Sequence, residues 1–214
     1  MDSITASHII DILNKEYPHT CDDMNFLKFR TPFEILIMTI LSAQTTDKIV
    51  NCLKGELFEK YPDAATLAMA DSEDVEKIIK PTGFYHTKAK NIIGTAQKLI
   101  SDFNGEVPDT IEELITLSGV GRKTANIVTN HAFHKTYGIA VDTHVGRLSQ
   151  RLGFSVHKDP EKIEQDLLNL FDKKYWEHVN FLLISHGRSV CNARNPDCRS
   201  CVLKEECFYG RTKQ

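Results

Sequence analysis

The chain has 214 residues, enough for one large domain or two small ones with a real hydrophobic core. Hydrophobic residues make up 41% and charged residues 26%, and the formal net charge is −3, so the composition indicates a globular protein without an overall signal for nucleic-acid binding. Residues 1–20 lack a basic start followed by an apolar stretch, and no apolar run reaches membrane-spanning length. We therefore expect a cytoplasmic protein without a targeting signal, in which thiols stay reduced.

Helical spacing of apolar residues runs through nearly the whole chain, beginning with residues 9–17. A longer helix is marked by the apolar positions of 89–100 and should end at Asn104. No alternating strand pattern stands out, and the short β-branched run at 139–141 is too brief for a sheet, so the pattern predicts an all-α protein of roughly ten helices. Glu113 is placed to complete a capping box. Helix starts are predicted at capping or first-turn residues, namely Pro32, Thr46 or Asp47, Asp71, Thr110 and Asp159.

Four of the six cysteines fall within a short segment near the C-terminus, at Cys191, Cys198, Cys201 and Cys207. Four thiolates can hold a [4Fe–4S] cluster or a tetrahedral zinc ion. Zinc ribbons more often carry two Cys-x2-Cys knuckles, and this segment has one, which favours the iron–sulfur cluster. A zinc site, disulfide bonds and a chance grouping of cysteines remain as alternatives to the cluster. Cys21 and Cys52 stand apart from the group and are interpreted as ordinary thiols.

A glycine turn, Gly119-Val120-Gly121, separates an apolar helical stretch from a second helical segment over 124–133. Two glycines one residue apart allow a tight turn that exposes backbone N–H groups at a helix N-terminus, where an anion such as phosphate can bind. A plain helix–helix turn explains the same pattern. The spacing is neither that of a Walker loop nor that of a Rossmann fingerprint.

Two side chains near this turn could carry chemistry. Lys123 lies in the first turn of the second helix, where its amine could act as a nucleophile that forms a Schiff base. A solvated or phosphate-contacting lysine is the alternative. Asp142 precedes another helical segment, so it is either an N-cap or a carboxylate that faces the site of Lys123.

Together these motifs resemble the endonuclease III family of helix–hairpin–helix DNA glycosylases. The resemblance runs from about Pro32 to Cys207, and the motifs occur in the family's order: LSAQTTD at 41–47, LSGVGRKTA at 117–125, VDTH at 141–144, HGR at 186–188 and the four cysteines. It implies an all-α, two-lobed helix–hairpin–helix glycosylase fold with a C-terminal [4Fe–4S] cluster loop. One lobe, residues 23–136, would hold six helices and end in the hairpin. The other, residues 1–22 plus 137–214, would carry the cluster.

The resemblance also implies roles for individual residues. Lys123 matches the lysine that attacks C1′ of the damaged nucleotide, and Asp142 matches the aspartate that assists it. Gln44 matches a residue that fills the gap left by the extruded nucleotide, and Phe84 matches a wedge that is more usually leucine. The four cysteines match the cluster ligands. DNA contacts are expected from Gln44, Phe84, Gly119, Val120, Gly121, Arg122, Thr124, His144 and Arg194.

The implied function is a bifunctional glycosylase and abasic-site lyase that removes oxidised pyrimidines from damaged double-stranded DNA, acting as a monomer away from membranes. One alternative is a monofunctional mismatch glycosylase, although the adenine-removing relatives carry glutamate at the position of Thr39 and lack the hairpin lysine. Another is a non-catalytic helix–hairpin–helix DNA-binding protein. Ser118 stands where proline is common in the family, and we expect it to loosen the turn slightly.

Overall fold

The computed structural model describes residues 1–19 and 26–212, and throughout these ranges the regular structure is helical. The all-α prediction is confirmed. Cys21 and the predicted lobe boundary at residues 22 and 23 lie outside the described residues. In chain order the helices are α1 (Ser3–Glu16), α2 (Pro32–Leu41), α3 (Asp47–Lys60), α4 (Ala64–Ala68), α5 (Ser72–Ile79), α6 (Tyr85–Phe103), α7 (Ile111–Leu114), α8 (Arg122–Phe133), α9 (Thr143–Leu152), α10 (Pro160–Leu170), α11 (Lys173–Ser189) and α12 (Phe208–Thr212).

Local capping chemistry sets most of the helix boundaries. The predicted starts at Pro32, Asp71 and Asp159 are confirmed, and each aspartate accepts hydrogen bonds from two backbone amides of its first turn. Thr46 occupies the N-cap position of α3 without a side-chain capping bond. The capping box at Thr110 forms only in part: the Thr110 hydroxyl accepts from the Glu113 amide at 3.4 Å, while the Glu113 carboxylate accepts from that hydroxyl at 2.6 Å.

The described residues divide into two compact units. One unit, Phe26–Tyr137, contains α2 to α8 and a short 3-10 turn, Lys80–Thr82. The other combines the described part of Met1–Asn25 with that of Gly138–Gln214 and contains α1 and α9 to α12. In the part of the chain that the structure describes, no helix has both the length and the apolar character needed to cross a bilayer.

Helix α2 forms the centre of the unit Phe26–Tyr137. Every residue from Ile35 to Leu41 is buried, and neighbouring helices α3, α6 and α8 pack against it. A helix that is apolar on every side is stable only when other elements surround it. Ala125 and Val128 of α8 are completely buried, so the position of α8 is fixed by packing on the core.

The second unit is organised around α9 and α11, which pack against each other. Helix α1 also packs against α11, and its face Ala6, Ile9, Ile10 and Leu13 is buried. Helices α10 and α12 pack against α9. The helical spacing predicted near the N-terminus therefore marks a face that pairs with a distant part of the chain.

A tight turn over residues 117–120 joins α7 to α8. The Val120 N–H donates to the Leu117 carbonyl at 3.2 Å, and Gly119 has φ +74°, a combination typical of a type II turn. The Thr95 hydroxyl on α6 donates to the Ser118 carbonyl at 2.8 Å. A Cβ at Gly119 would lie 2.8 Å from the Asn91 side-chain nitrogen, so position 119 requires glycine on both conformational and steric grounds.

Replacing Ser118 with proline should raise the free energy of unfolding by about 0.4–1 kcal/mol, because proline pre-sets the backbone of the second turn position and restricts the unfolded chain. Among the backbone hydrogen bonds of the described loops, none uses the Ser118 amide, which proline lacks. Chemical denaturation followed by circular dichroism measures the change. The matched variant Gly119→Ala should lower the stability by about 1–3 kcal/mol. A destabilised Ser118→Pro variant would contradict the type II assignment.

Candidate functional site

Lys123 is the second residue of α8, as its sequence position predicted. Gly121 is the N-cap, with an extended backbone and no side chain that caps the helix, and the first intrahelical bond runs from the Ala125 N–H to the Gly121 carbonyl at 3.0 Å. The first amides of a helix lack partners within the helix itself, so this end of α8 has the polarity that favours an anion. The Lys123 side chain is exposed on a helix whose opposite face is buried in the core. This arrangement gives a solvent-accessible amine on a rigid support.

The remaining predicted hairpin residues differ in what they can offer a ligand. Gly119, Gly121 and Arg122 are exposed, whereas Thr124 is half-buried. The Val120 side chain is buried, with 7% of its surface exposed, so this residue can reach a ligand only through its backbone.

Asp142 is the N-cap of α9. Its Oδ1 atom accepts hydrogen bonds from the His144 and Val145 amides, both at 2.8 Å. Because both bonds use the same oxygen, Oδ2 takes no part in capping. The N-cap interpretation of the sequence is correct, and the carboxylate retains an oxygen that could take part in chemistry.

His144 packs inside the unit that contains Asp142. Its Nδ1 lies 3.2 Å from the Arg147 guanidinium, which also donates to the Gly187 and Cys191 carbonyls at 3.0 and 3.1 Å. Burial lowers the pKa of His144 and so favours the neutral ring. A Cβ at Gly187 would lie 2.9 Å from both side chains, which explains the glycine in the HGR motif.

Gln44 and Phe84 share an uncommon backbone conformation. Gln44 follows α2 with φ +54°, and Phe84 immediately precedes α6 with φ +48°. Both side chains are exposed, and Phe84 shows 70% of its surface to solvent. Positive φ is costly for residues other than glycine, and it persists where the surrounding structure enforces it, often at functional sites.

Thr39, the position that carries glutamate in adenine-removing relatives, lies inside α2. It is buried, and its hydroxyl donates to the Ile35 carbonyl at 2.7 Å. The side chain is therefore committed to its own helix and has no acidic group.

The four C-terminal cysteines line one cavity, which measures about 390 Å³ including its solvent-open part. All four are free thiols. Arg151 of α9 and His186 of α11 line the same cavity. No group of three His, Cys, Asp or Glu side chains in the described ranges is close enough to hold one metal ion. The four thiols therefore line a shared cavity. Arg194, in the same C-terminal segment, is exposed.

Several N–H groups are placed to donate to the cysteine sulfurs. The Arg151 guanidinium donates to Cys191 Sγ at 3.1 Å, and the Gly210 amide donates to Cys207 Sγ at 3.4 Å. His186 Nε2 lies 3.4 Å from Cys201 Sγ. Donors around sulfur stabilise thiolate ligands, so these contacts fit a group that the cysteines bind as thiolates. Cysteine spacing in the sequence carried no signal for Arg151, because it lies on a separate helix.

The chain is similar in sequence to known proteins of base excision DNA repair. Residues 37–173 match the model of the HhH-GPD superfamily base excision DNA repair protein. Endonuclease III of Synechocystis sp. is 49% identical over 203 residues, covering 94% of this chain and 91% of its own. Endonuclease III of Escherichia coli K12 is 39% identical over 209 residues, covering 98% and 97%.

Solved structures show the same similarity. A trapped covalent intermediate of endonuclease III with DNA has a TM-score of 0.91 at 39% identity, covering 100% of this chain and 99% of that one. A thermostable thymine-DNA glycosylase has a TM-score of 0.82 at 23% identity, which shows a shared fold. The chain belongs to the endonuclease III family of the HhH-GPD superfamily of base excision DNA repair proteins, as its motifs predicted.

Proposed function

We propose that this chain is a bifunctional DNA glycosylase and abasic-site lyase that removes oxidised pyrimidines from duplex DNA, acting as a monomer on chromosomal DNA. The observation that carries the proposal is the exposed amine of Lys123 on the first turn of α8, directly after the glycine turn. The similar endonuclease III structure is a covalent intermediate with DNA, which supports a covalent step here as well.

The chemistry begins with extrusion of the damaged nucleotide, since a base inside the duplex cannot be reached. The Lys123 amine then attacks C1′, the bond from C1′ to the base breaks, and the base leaves. Opening of the sugar gives a Schiff base between Lys123 and C1′. Loss of a proton from C2′ expels the 3′ phosphate by β-elimination, and water releases the enzyme. Asp142 stabilises the positive charge that develops on the sugar.

The proposed DNA contacts are those that the family resemblance implies, and the exposure of these residues supports them. The backbone N–H groups of 119–121 and the start of α8 hold a phosphate, with Arg122 and Thr124 beside them. Gln44 fills the gap left by the extruded nucleotide, and Phe84 wedges between bases. Arg194 contacts the phosphate backbone of the DNA at another position. The ring of His144 packs against Gly187, so we expect His144 to contact DNA through its backbone at the start of α9.

We propose that Cys191, Cys198, Cys201 and Cys207 hold a [4Fe–4S] cluster, because their thiols surround a cavity and N–H donors point at the sulfurs. A zinc ion would require all four sulfurs at about 2.3 Å from one point. When bound, the cluster supplies a rigid crosslink within the loop. Arg151 reinforces that loop by donating to the Asn192 and Ala193 carbonyls, both at 2.9 Å.

Lys123→Ala should abolish the covalent complex that borohydride traps on a duplex containing thymine glycol or dihydrouracil, because no other amine replaces the nucleophile. Lys123→Arg is the matched control: it keeps the positive charge and the DNA affinity but cannot form a Schiff base. Gel analysis of trapped and cleaved strands reads out both variants. A complex of normal yield with Lys123→Ala would refute the assignment.

Asp142→Asn should slow base excision roughly a hundredfold while changing the stability by only a few tenths of a kcal/mol, because asparagine caps a helix as well as aspartate does. Asp142→Ala should additionally lose about 1 kcal/mol of stability. Single-turnover rates and denaturation curves separate the two roles. Equal rates for wild type and the asparagine variant would limit Asp142 to capping.

Protein purified without oxygen should contain iron and acid-labile sulfide in equal amounts, and Cys198→Ser should lose both together with the brown colour. Cys52→Ser is the control, because Cys52 is exposed on α3 and does not line the cavity. One zinc per chain without sulfide would contradict the cluster assignment.

A further inference from the structure

Lys88 is a buried cation that the proposed chemistry does not use. It lies on α6 with only 5% of its surface exposed. Its ammonium group donates three hydrogen bonds: to the Leu41 carbonyl at 2.9 Å, to the Thr45 hydroxyl at 2.7 Å and to the Thr82 carbonyl at 2.9 Å. These bonds use all three N–H donors of the lysine.

The acceptors are dipoles, and none of them is a carboxylate. Leu41 is the last residue of α2, so its carbonyl lies at the negative end of that helix, which stabilises a nearby cation. Burial nevertheless lowers the pKa of Lys88, which shows that the buried charge is not fully compensated. An apolar side chain would avoid this cost, so the cation indicates a requirement for position rather than for stability.

The bonds of Lys88 join two separate loops. Thr45 belongs to the loop between α2 and α3, and Thr82 belongs to the 3-10 turn before α6. The Thr45 hydroxyl also donates to the Thr82 carbonyl at 2.5 Å, so the lysine, the hydroxyl and the carbonyl form a closed triangle of hydrogen bonds.

Each of these loops carries an exposed residue with positive φ. Gln44 directly precedes Thr45, and Phe84 follows Thr82 by two positions. The triangle therefore fixes the spacing between a polar side chain and an aromatic one that extend into solvent from strained backbones.

We propose that Lys88 is a positioning residue for nucleotide extrusion, which holds Gln44 and Phe84 at the separation needed to enter the DNA duplex together. The inference rests on the proposed function, since the two side chains enter DNA only if this chain extrudes nucleotides. Lys88 itself is buried and does not touch DNA. Its loss should impair insertion while leaving the chemistry of Lys123 intact.

The test compares Lys88→Met, which keeps the length of the side chain, with Thr45→Val, which removes only the bridging hydroxyl. Thr45→Ser restores that hydroxyl and should recover wild-type behaviour. Lys90→Met is the control for the loss of one positive charge, because Lys90 is an exposed lysine on the same helix. Thermal unfolding identifies any variant that does not fold, and Thr45→Val decides the question if Lys88→Met is unfolded.

The following measurements distinguish a loss of positioning from a general loss of enzymatic activity. Single-turnover base excision from a thymine glycol duplex requires full extrusion, and we expect it to slow about tenfold or more in both variants. Strand cleavage at a preformed abasic site has no base to unstack and should slow less than threefold, since the extrusion cost is smaller. Fluorescence of 2-aminopurine opposite a tetrahydrofuran site should show weaker unstacking by both variants.

Equal slowing of excision and abasic-site cleavage, or unchanged 2-aminopurine unstacking in folded variants, would overturn the role of Lys88. Failure of the proposed function gives a different pattern: wild type would then release no base and cleave no abasic site. The tetrahydrofuran duplex needs no chemistry, so the comparison of unstacking by wild type, Thr45→Val and Thr45→Ser would still decide the positioning role.

Discussion

Burial of α2 on nearly every side is the constraint on which the unit Phe26–Tyr137 depends. Its apolar surface draws α3, α6 and α8 around it, so the direction of each neighbour is set by close packing. Because α8 packs against α2, this contact sets the position of the first turn of α8, where Lys123 is exposed. The C-terminal end of α2 provides a carbonyl for Lys88, so the core also anchors the loops that carry Gln44 and Phe84.

In the other unit, polar contacts position the segment that carries the cysteines. Cysteine side chains lie on an irregular segment that has little regular structure of its own, and arginines of α9 hold that segment in place. Arg147 and Arg151 both donate to carbonyls at or near Cys191, and Arg151 also reaches the sulfur. Planar guanidinium groups suit this task because each offers several donors in fixed directions. Asp142 is the N-cap of the same helix, so α9 carries both the carboxylate and the arginines that hold the cysteine segment.

The sequence allowed the helices, their caps and the family to be predicted, because these depend on neighbouring residues or on motifs with fixed spacing. Asp71, Asp142 and Asp159 each cap through amides two or three residues away. The network of Lys88 could not be found in this way. Its partners Leu41 and Thr45 lie 47 and 43 positions away, and nothing in the local pattern of α6 distinguishes this lysine from the exposed ones. The short helices α4 and α12 have too few residues for periodicity to be detected.

The pairing of α1 with α11 has a consequence for synthesis on the ribosome. The buried face of α1 is made first, yet its partner lies beyond the whole unit Phe26–Tyr137. At ordinary rates of translation the delay is on the order of ten seconds. Throughout that time the central unit can collapse around α2, while the apolar face of α1 waits without its partner. The nascent chain therefore exposes the apolar face of α1 to chaperones. This face is buried only after α11 has emerged from the ribosome.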